Sequence, residues 1–199
     1  MPTFKDMNYL AHLYLSGNDA DLLLGNFIAD HLKGEDRKRL YPEAIKRGIA
    51  LHRSIDAFTD GHPVVTESKM RVRSSFGKYA PVIVDVFYDH FLAANWERYH
   101  AVPLPVYAQQ TYDLLQSRFE ELPAGAQHML PFMRQHDWLS GYAQMAGIQR
   151  VMGGMSRRSK FESRMHEAPA LLEQAYGAFE AEFNRFFPEL EAHVAQFEG

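Results

Sequence analysis

The chain has 199 residues, 46% hydrophobic and 23% charged, which excludes a disordered polymer and leaves length enough for one domain with a sizeable core. A formal charge of -4 argues against a general nucleic-acid binder, and the absence of cysteine excludes disulfides, thiolate metal sites and cysteine nucleophiles. No stretch approaches the roughly 18 apolar residues that span a bilayer, and the N-terminus lacks the basic start and cleavage site of a secretory signal. The expectation is a cytoplasmic protein with no membrane or nucleic-acid partner.

Apolar residues recur with a period of 3.6 almost throughout, so the expected class is all-α, in a single helical domain over 1–199. A short segment from Asn8 to Leu15 carries His12. A helix from Asp19 to Lys33, stopped by Gly34, sets Asn26 and Asp30 four residues apart beside Leu22 and Leu23, and its Gly25 allows a neighbouring helix to approach closely.

The next helix runs from Pro42 to Asp60 and ends at Gly61 and Pro63. It carries His52, Asp56 and Asp60 at four-residue intervals. On a helical wheel Asp56 lies about 40° and Asp60 about 80° from His52, in the sector of Ile45, Gly48 and Ile49. Lys46, Arg47 and Arg53 largely occupy the far side, so His52 and Asp56 belong to an apolar face and not to a solvated stripe. Gly48 offers a second point of close approach.

A more charged helix from Val64 to Phe76 ends at "KYAP". The helix from Pro81 to about Tyr99 is apolar nearly all round, yet it places Asp85 and Asp89 four apart among Val82, Leu92 and Trp96. Two carboxylates on a buried helix resist joint ionisation unless a cation or donors compensate them. After the linker at Pro103 and Pro105, helices are expected at Val106 to Leu122, Ala126 to Gln135, Leu139 to Met152, and in one or two pieces from Phe161 to Phe187. "GGMSRRSK", from Gly153, reads as the most loop-like stretch.

Three helices thus each aim two oxygen or nitrogen ligands inward. Taken singly, His12 reads as a hydrogen-bonded core histidine, Asn26 as a packing amide and Asp60 as a solvated helix end. Taken together, so many carboxylates in an apolar core call for a cation. Histidine and carboxylate ligands without sulfur suit Mn²⁺, Mg²⁺ or Fe²⁺, and such a site can hydrolyse a phosphoester. Arg53 is a candidate to hold the phosphate, against its ordinary reading as a surface cation. A di-iron carboxylate bundle expects Glu-x-x-His on two helices, and that spacing occurs once in this context, at Glu97 to His100. The literal His136-Asp137 pair sits at a polar helix end before Trp138 and reads as an exposed turn.

"MNYLAHLYL", "GNFIADHLKG", "HRSIDAFTD" and "DVFYDHFLAANW" resemble, in type and order, the successive motifs of the acyl carrier protein phosphodiesterase family, also called acyl carrier protein hydrolase. The likeness runs from Met7 to Trp96 and continues more weakly through "WLSGYAQMAGIQRVMGGMSRR". It implies an all-α hydrolase distantly related to HD-domain phosphohydrolases, using Mn²⁺ or another divalent metal. Such enzymes cleave the phosphodiester joining 4'-phosphopantetheine to a serine of holo-acyl carrier protein. The chain offers "HRSID" and "YDH" where HD proteins have adjacent His-Asp, so their ligands cannot be copied directly.

The candidate metal ligands are Asp30, His52, Asp56 and Asp89, and the candidate catalytic or supporting groups are Asp85, His12, Asn26, Asp60 and His90. Arg53, Arg157 and Arg158 are candidates for substrate binding. The acidic carrier protein calls for a basic docking surface, either "KMRVR" at Lys69 to Arg73 or "RRSK" at Arg157 to Lys160, each of which is otherwise an ordinary solvated run. Two alternatives stand beside this reading: an HD-like phosphohydrolase of a nucleotide or other small phosphoester, and a non-catalytic helical binding module whose polar residues form a structural network.

Overall fold

A computed structural model describes residues 9–32 and 40–198, and every regular element among them is helical. Asn8, Lys33 and Gly34 lie outside the described residues. The first helix, α1 (Tyr9–Leu15), is followed by α2 (Ala20–Ile28), where the Asp19 carboxylate accepts the free N–H groups of Asp21 and Leu22. Contrary to the expected run to Lys33, α2 tightens after Ile28 into a 3₁₀ turn at Ala29–His31, and Asp30 projects from that turn. Next come α3 (Glu43–Gly61) and α4 (Pro63–Phe76), the latter capped by His62, whose Nδ1 accepts from the Val64 N–H.

The central helix, α5 (Ala80–Ala94), stops short of the expected Tyr99, and a 3₁₀ turn at Trp96–Arg98 follows. Then come α6 (Leu104–Ser117), α7 (Ala124–Gln135), the one-turn α8 (Trp138–Gly141), α9 (Met145–Arg158), α10 (Ala168–Gln174) and α11 (Tyr176–Ala195). Two expectations fail here. The helix expected over Leu139 to Met152 is broken into α8 and α9, and Gly153 to Arg158, expected as loop, is the last part of α9. The stripe Ile148, Val151, Met152 and Met155 buries one side of α9, and that burial outweighs the cost of its helical glycines, Gly153 and Gly154 among them.

One hydrophobic core runs through the described residues, with α5 at its centre. Its Val84, Val86, Phe87, Phe91 and Leu92 are fully buried. Opposite them α11 lays down Phe179, Phe183, Phe186, Phe187 and Leu190 at helical spacing, with Phe87 and Phe179 meeting edge to face at 5.1 Å. Each such side chain contributes about 1.5–3 kcal/mol on burial. None of the described helices is long and apolar enough to cross a membrane.

Helices α2 and α3 pack closely against each other and meet at two glycines. A Cβ added to Gly25 would stand 2.1 Å from the Ile45 carbonyl oxygen, and one added to Gly48 would stand 2.3 Å from that of Leu22. Only glycine at both positions permits this approach. It brings Asn26 of α2 against His52 of α3.

Candidate metal centre and cleft

Asn26 organises the site. Its amide Nδ2 donates to the His12 carbonyl at 2.8 Å and to Ser16 Oγ at 3.0 Å, which fixes Oδ1 as the atom facing the two histidines. His12 Nδ1 lies 2.9 Å from that oxygen and His52 Nδ1 lies 3.0 Å from it, with the Asn26 carbonyl a further 3.0 Å partner for His52. An oxygen only accepts, so both imidazoles carry their proton on Nδ1 and present Nε2 on the other side. The rings are stacked, with centroids 4.1 Å apart, so protonating both would set two cations face to face.

The two Nε2 atoms look toward carboxylates. His12 Nε2 is 3.5 Å from Asp56 Oδ1, and His52 Nε2 is 3.6 Å from Asp56 Oδ2 and 3.4 Å from Asp30 Oδ1. His52 Nε2 is buried without a well-directed hydrogen bond. Burial works against a charge on this ring, but the hydrogen-bonding and charge of Asp30 and the charge of Asp56 outweigh it and hold His52 above its ordinary value. Separations of 3.4–3.6 Å exceed a good charged hydrogen bond, about 2.7–2.9 Å. They match ligand atoms that share one ion at roughly 2.1 Å each in tetrahedral array, which stand about 3.4 Å apart. Ligand atoms of His12, His52 and Asp56 lie within 4.8 Å of one another, so the donor set fits a divalent cation.

His12 and Asp56 of this cluster border a cleft of about 630 Å³. His12, Asp56, Asp60, Asp85 and Asp89 line it from α1, α3 and α5, and the aromatic face of α11 supplies an apolar wall. Lys78, Lys160 and Phe161 also line it. Phe161 is exposed, with the Lys78 ammonium 4.3 Å from its ring centre.

The carboxylates of the cleft divide by partner. Asp89 is 1% exposed, and its two oxygens accept the N–H groups of Leu10 and Ala11, at 3.0 and 2.9 Å, in the first turn of α1. It was expected among the metal ligands, and the structure gives it a capping occupation that positions the helix carrying His12. Burial nevertheless pushes its carboxyl up to about 7, against those two amides and the nearby His12. Asp60 is exposed and bonds the Lys69 ammonium at 2.8 Å. Asp85 has no hydrogen-bond or ion-pair partner among the described residues, and burial above all, with Asp56 and Asp60 adding to it, pushes it up to about 7 despite the opposing charges of Lys69 and His12.

Other expected site residues stand elsewhere. His90, one residue on from Asp89, turns to the opposite side of α5, where Nδ1 meets the Tyr142 carbonyl at 2.8 Å and Nε2 the Tyr176 hydroxyl at 3.0 Å. It does not line the cleft. Burial pushes its ring down, as befits a neutral core histidine. Arg53 is exposed and likewise outside the cleft lining. Arg157 and Arg158 are exposed at the end of α9, and Lys160 beyond them reaches the cleft. In "KMRVR", Lys69 is committed to Asp60 and Arg71 to the buried Glu182 at 2.6 Å. His136 and Asp137 are exposed in a turn, with Asp137 left-handed at φ 41°.

Sequence reasoning did not find the α11 wall, Ser16, Lys78 or Phe161. The phenylalanine stripe was visible as a helical period, but such a stripe reads equally as plain core. Ser16 and Lys78 had no signal at all.

Residues 7–190 match the acyl carrier protein phosphodiesterase family. The chain belongs to that family. It is 34% identical over 185 residues to the acyl carrier protein phosphodiesterase of Photorhabdus laumondii, covering 92% of each chain. It is 32% identical to the proteins of that name from an Enterobacter species and from Yersinia pestis, covering 92% of this chain and 95% of theirs. No solved structure gives a significant match. Membership makes the chain a phosphodiesterase and thus a hydrolase.

Proposed function

We propose that this chain is a divalent-metal-dependent phosphodiesterase that hydrolyses the bond between 4'-phosphopantetheine and the serine of holo-acyl carrier protein, giving apo-acyl carrier protein and 4'-phosphopantetheine. The observation that carries the metal dependence is the arrangement of His12 and His52, with Nδ1 of each held by Asn26 and Nε2 of each turned to Asp56. The family name carries the substrate.

His12, His52, Asp56 and Asp30 would hold the ion, most suitably Mn²⁺, with Mg²⁺ or Fe²⁺ as further candidates. When bound, the ion supplies charge for the phosphoryl oxygens and lowers the pKa of water. The chain's own residues prepare the site. Asn26 sets the tautomer of both rings, so that two lone pairs converge before any ligand arrives. Asp89 anchors the start of α1 and thereby places His12. Ile55, Phe183, Phe186, Phe187 and Leu190 exclude water from the rest of the cleft, and the pantetheine arm lies along them. Arg157 and Arg158 attract the acidic carrier protein toward the cleft, with Lys160 at its lining.

The test is intact-mass spectrometry of holo-acyl carrier protein incubated with the chain. Loss of the phosphopantetheine mass with Mn²⁺ and its retention with excess chelator support the proposal. Retention under both conditions overturns it.

A further inference from the structure

Hydrolysis of a serine phosphodiester leaves a serine alkoxide, a poor leaving group that needs a proton as the P–O bond breaks. Of the carboxylates lining the cleft, Asp89 is occupied by two backbone amides, Asp56 faces both imidazoles and Asp60 is joined to Lys69. Asp85 stands on the same face of α5 as Asp89, one turn earlier, and it lines the cleft without a hydrogen bond or ion pair to any described residue. The geometry points to Asp85 as the catalytic residue that donates this proton, a role that rests on the phosphodiesterase reading above.

The groups facing Asp85 agree with the role. From α3 come Asp56 and Asp60, from α4 Lys69 and from α1 His12. Lys69, the cation among them, is already bonded to Asp60 at 2.8 Å. With Lys69 committed to Asp60, no described donor or cation engages the Asp85 carboxyl where it lines the cleft beside the apolar wall of α11, so it can turn to a leaving oxygen bound there. In the step itself, the oxygen of water forms the new bond to phosphorus and the bond from phosphorus to serine Oγ breaks. The electron pair of that bond leaves with Oγ, which takes the proton from Asp85. The proton released by the attacking water passes to solvent, and Asp85 regains one from solvent.

Leaving-group dependence separates this role from a metal-binding or structural one. Two esters are compared with Mn²⁺ present: holo-acyl carrier protein, and the diester of 4'-phosphopantetheine with 4-nitrophenol, whose leaving group departs without a proton. Asp85→Asn should slow the carrier protein by about 100- to 10,000-fold and the nitrophenyl ester by less than about tenfold. The variant should also retain the rise in thermal midpoint that Mn²⁺ produces. Asp85→Ser serves the same comparison if the amide variant does not fold. Equal losses on the two esters overturn the Asp85 assignment alone. A wild-type chain inactive on both overturns the phosphodiesterase reading and this assignment with it.

Discussion

Replacing Gly25 by alanine tests whether the contact of α2 with α3 builds the site. The new methyl would sit 2.1 Å from the Ile45 carbonyl oxygen and 2.8 Å from the Gly48 Cα, both rigid backbone atoms. Reaching an ordinary separation of about 3.5 Å forces the helices apart by about 1 Å or more. Overpacking of this kind costs about 1–3 kcal/mol, while alanine returns about 1 kcal/mol of helix propensity. The same shift stretches the 3.0 Å contacts of Asn26 with His52, each worth about 0.5–1.5 kcal/mol. The net loss of about 1–3 kcal/mol should lower the thermal midpoint by roughly 3–10 °C in a chain of this size. Release of His52 from Asn26 should weaken Mn²⁺ binding by about 10- to 100-fold. Thermal melts with and without Mn²⁺ read both effects. An unchanged midpoint with the full Mn²⁺ response would refute the glycine contact as the cause of the site.

Gly153→Ala is the counterpart: its Cβ meets only the flexible Arg157 side chain at 3.4 Å within α9, so melting should show a gain of about 0.5–1 kcal/mol, and a loss would contradict a helix there. Asp56→Asn should remove most turnover, on the order of 100-fold or more, while circular dichroism stays helical; normal turnover would take Asp56 out of the centre. Mn²⁺ at 100 times its dissociation constant should stabilise the protein by about 2.7 kcal/mol, and identical melts with metal and chelator would favour a purely structural network. The Asp85 carboxyl moves from its ordinary 3.8 to about 7 on folding, so the metal-free protein takes up a proton on folding between those values and loses stability as pH rises through them. Asp85→Asn does not titrate, and its midpoint should climb relative to wild type from about pH 4 to pH 7; a constant difference would contradict the burial of this group.

The pairs His52 and Asp56, Asn26 and Asp30, and Asp85 and Asp89 were legible because four residues return a helix to the same face, and that face was apolar. Gly25 and Gly48 were legible as points of close approach for the same reason. Which group faces the centre and which supports it depends on how helices cross, and one helix's period does not contain that information. Thus Asp89 caps α1, Asn26 holds two rings at once, and His12 stands level with His52. His90 shows the limit of reading motifs by adjacency, since one residue along a helix is a turn of about 100°. The glycine pair in α9 suggested a loop, yet the apolar stripe decided the conformation. Past Phe187, where the sequence suggested an end, α11 continues through Pro188 to Ala195 and buries Leu190.

The most direct test of the central claim is a crystal of the chain grown with Mn²⁺ and measured for anomalous scattering from manganese. The account predicts a peak bonded to Nε2 of His12, Nε2 of His52 and a carboxylate oxygen of Asp56, with Asp30 alongside. A well-ordered site showing no peak there, or manganese bound only elsewhere, would contradict it.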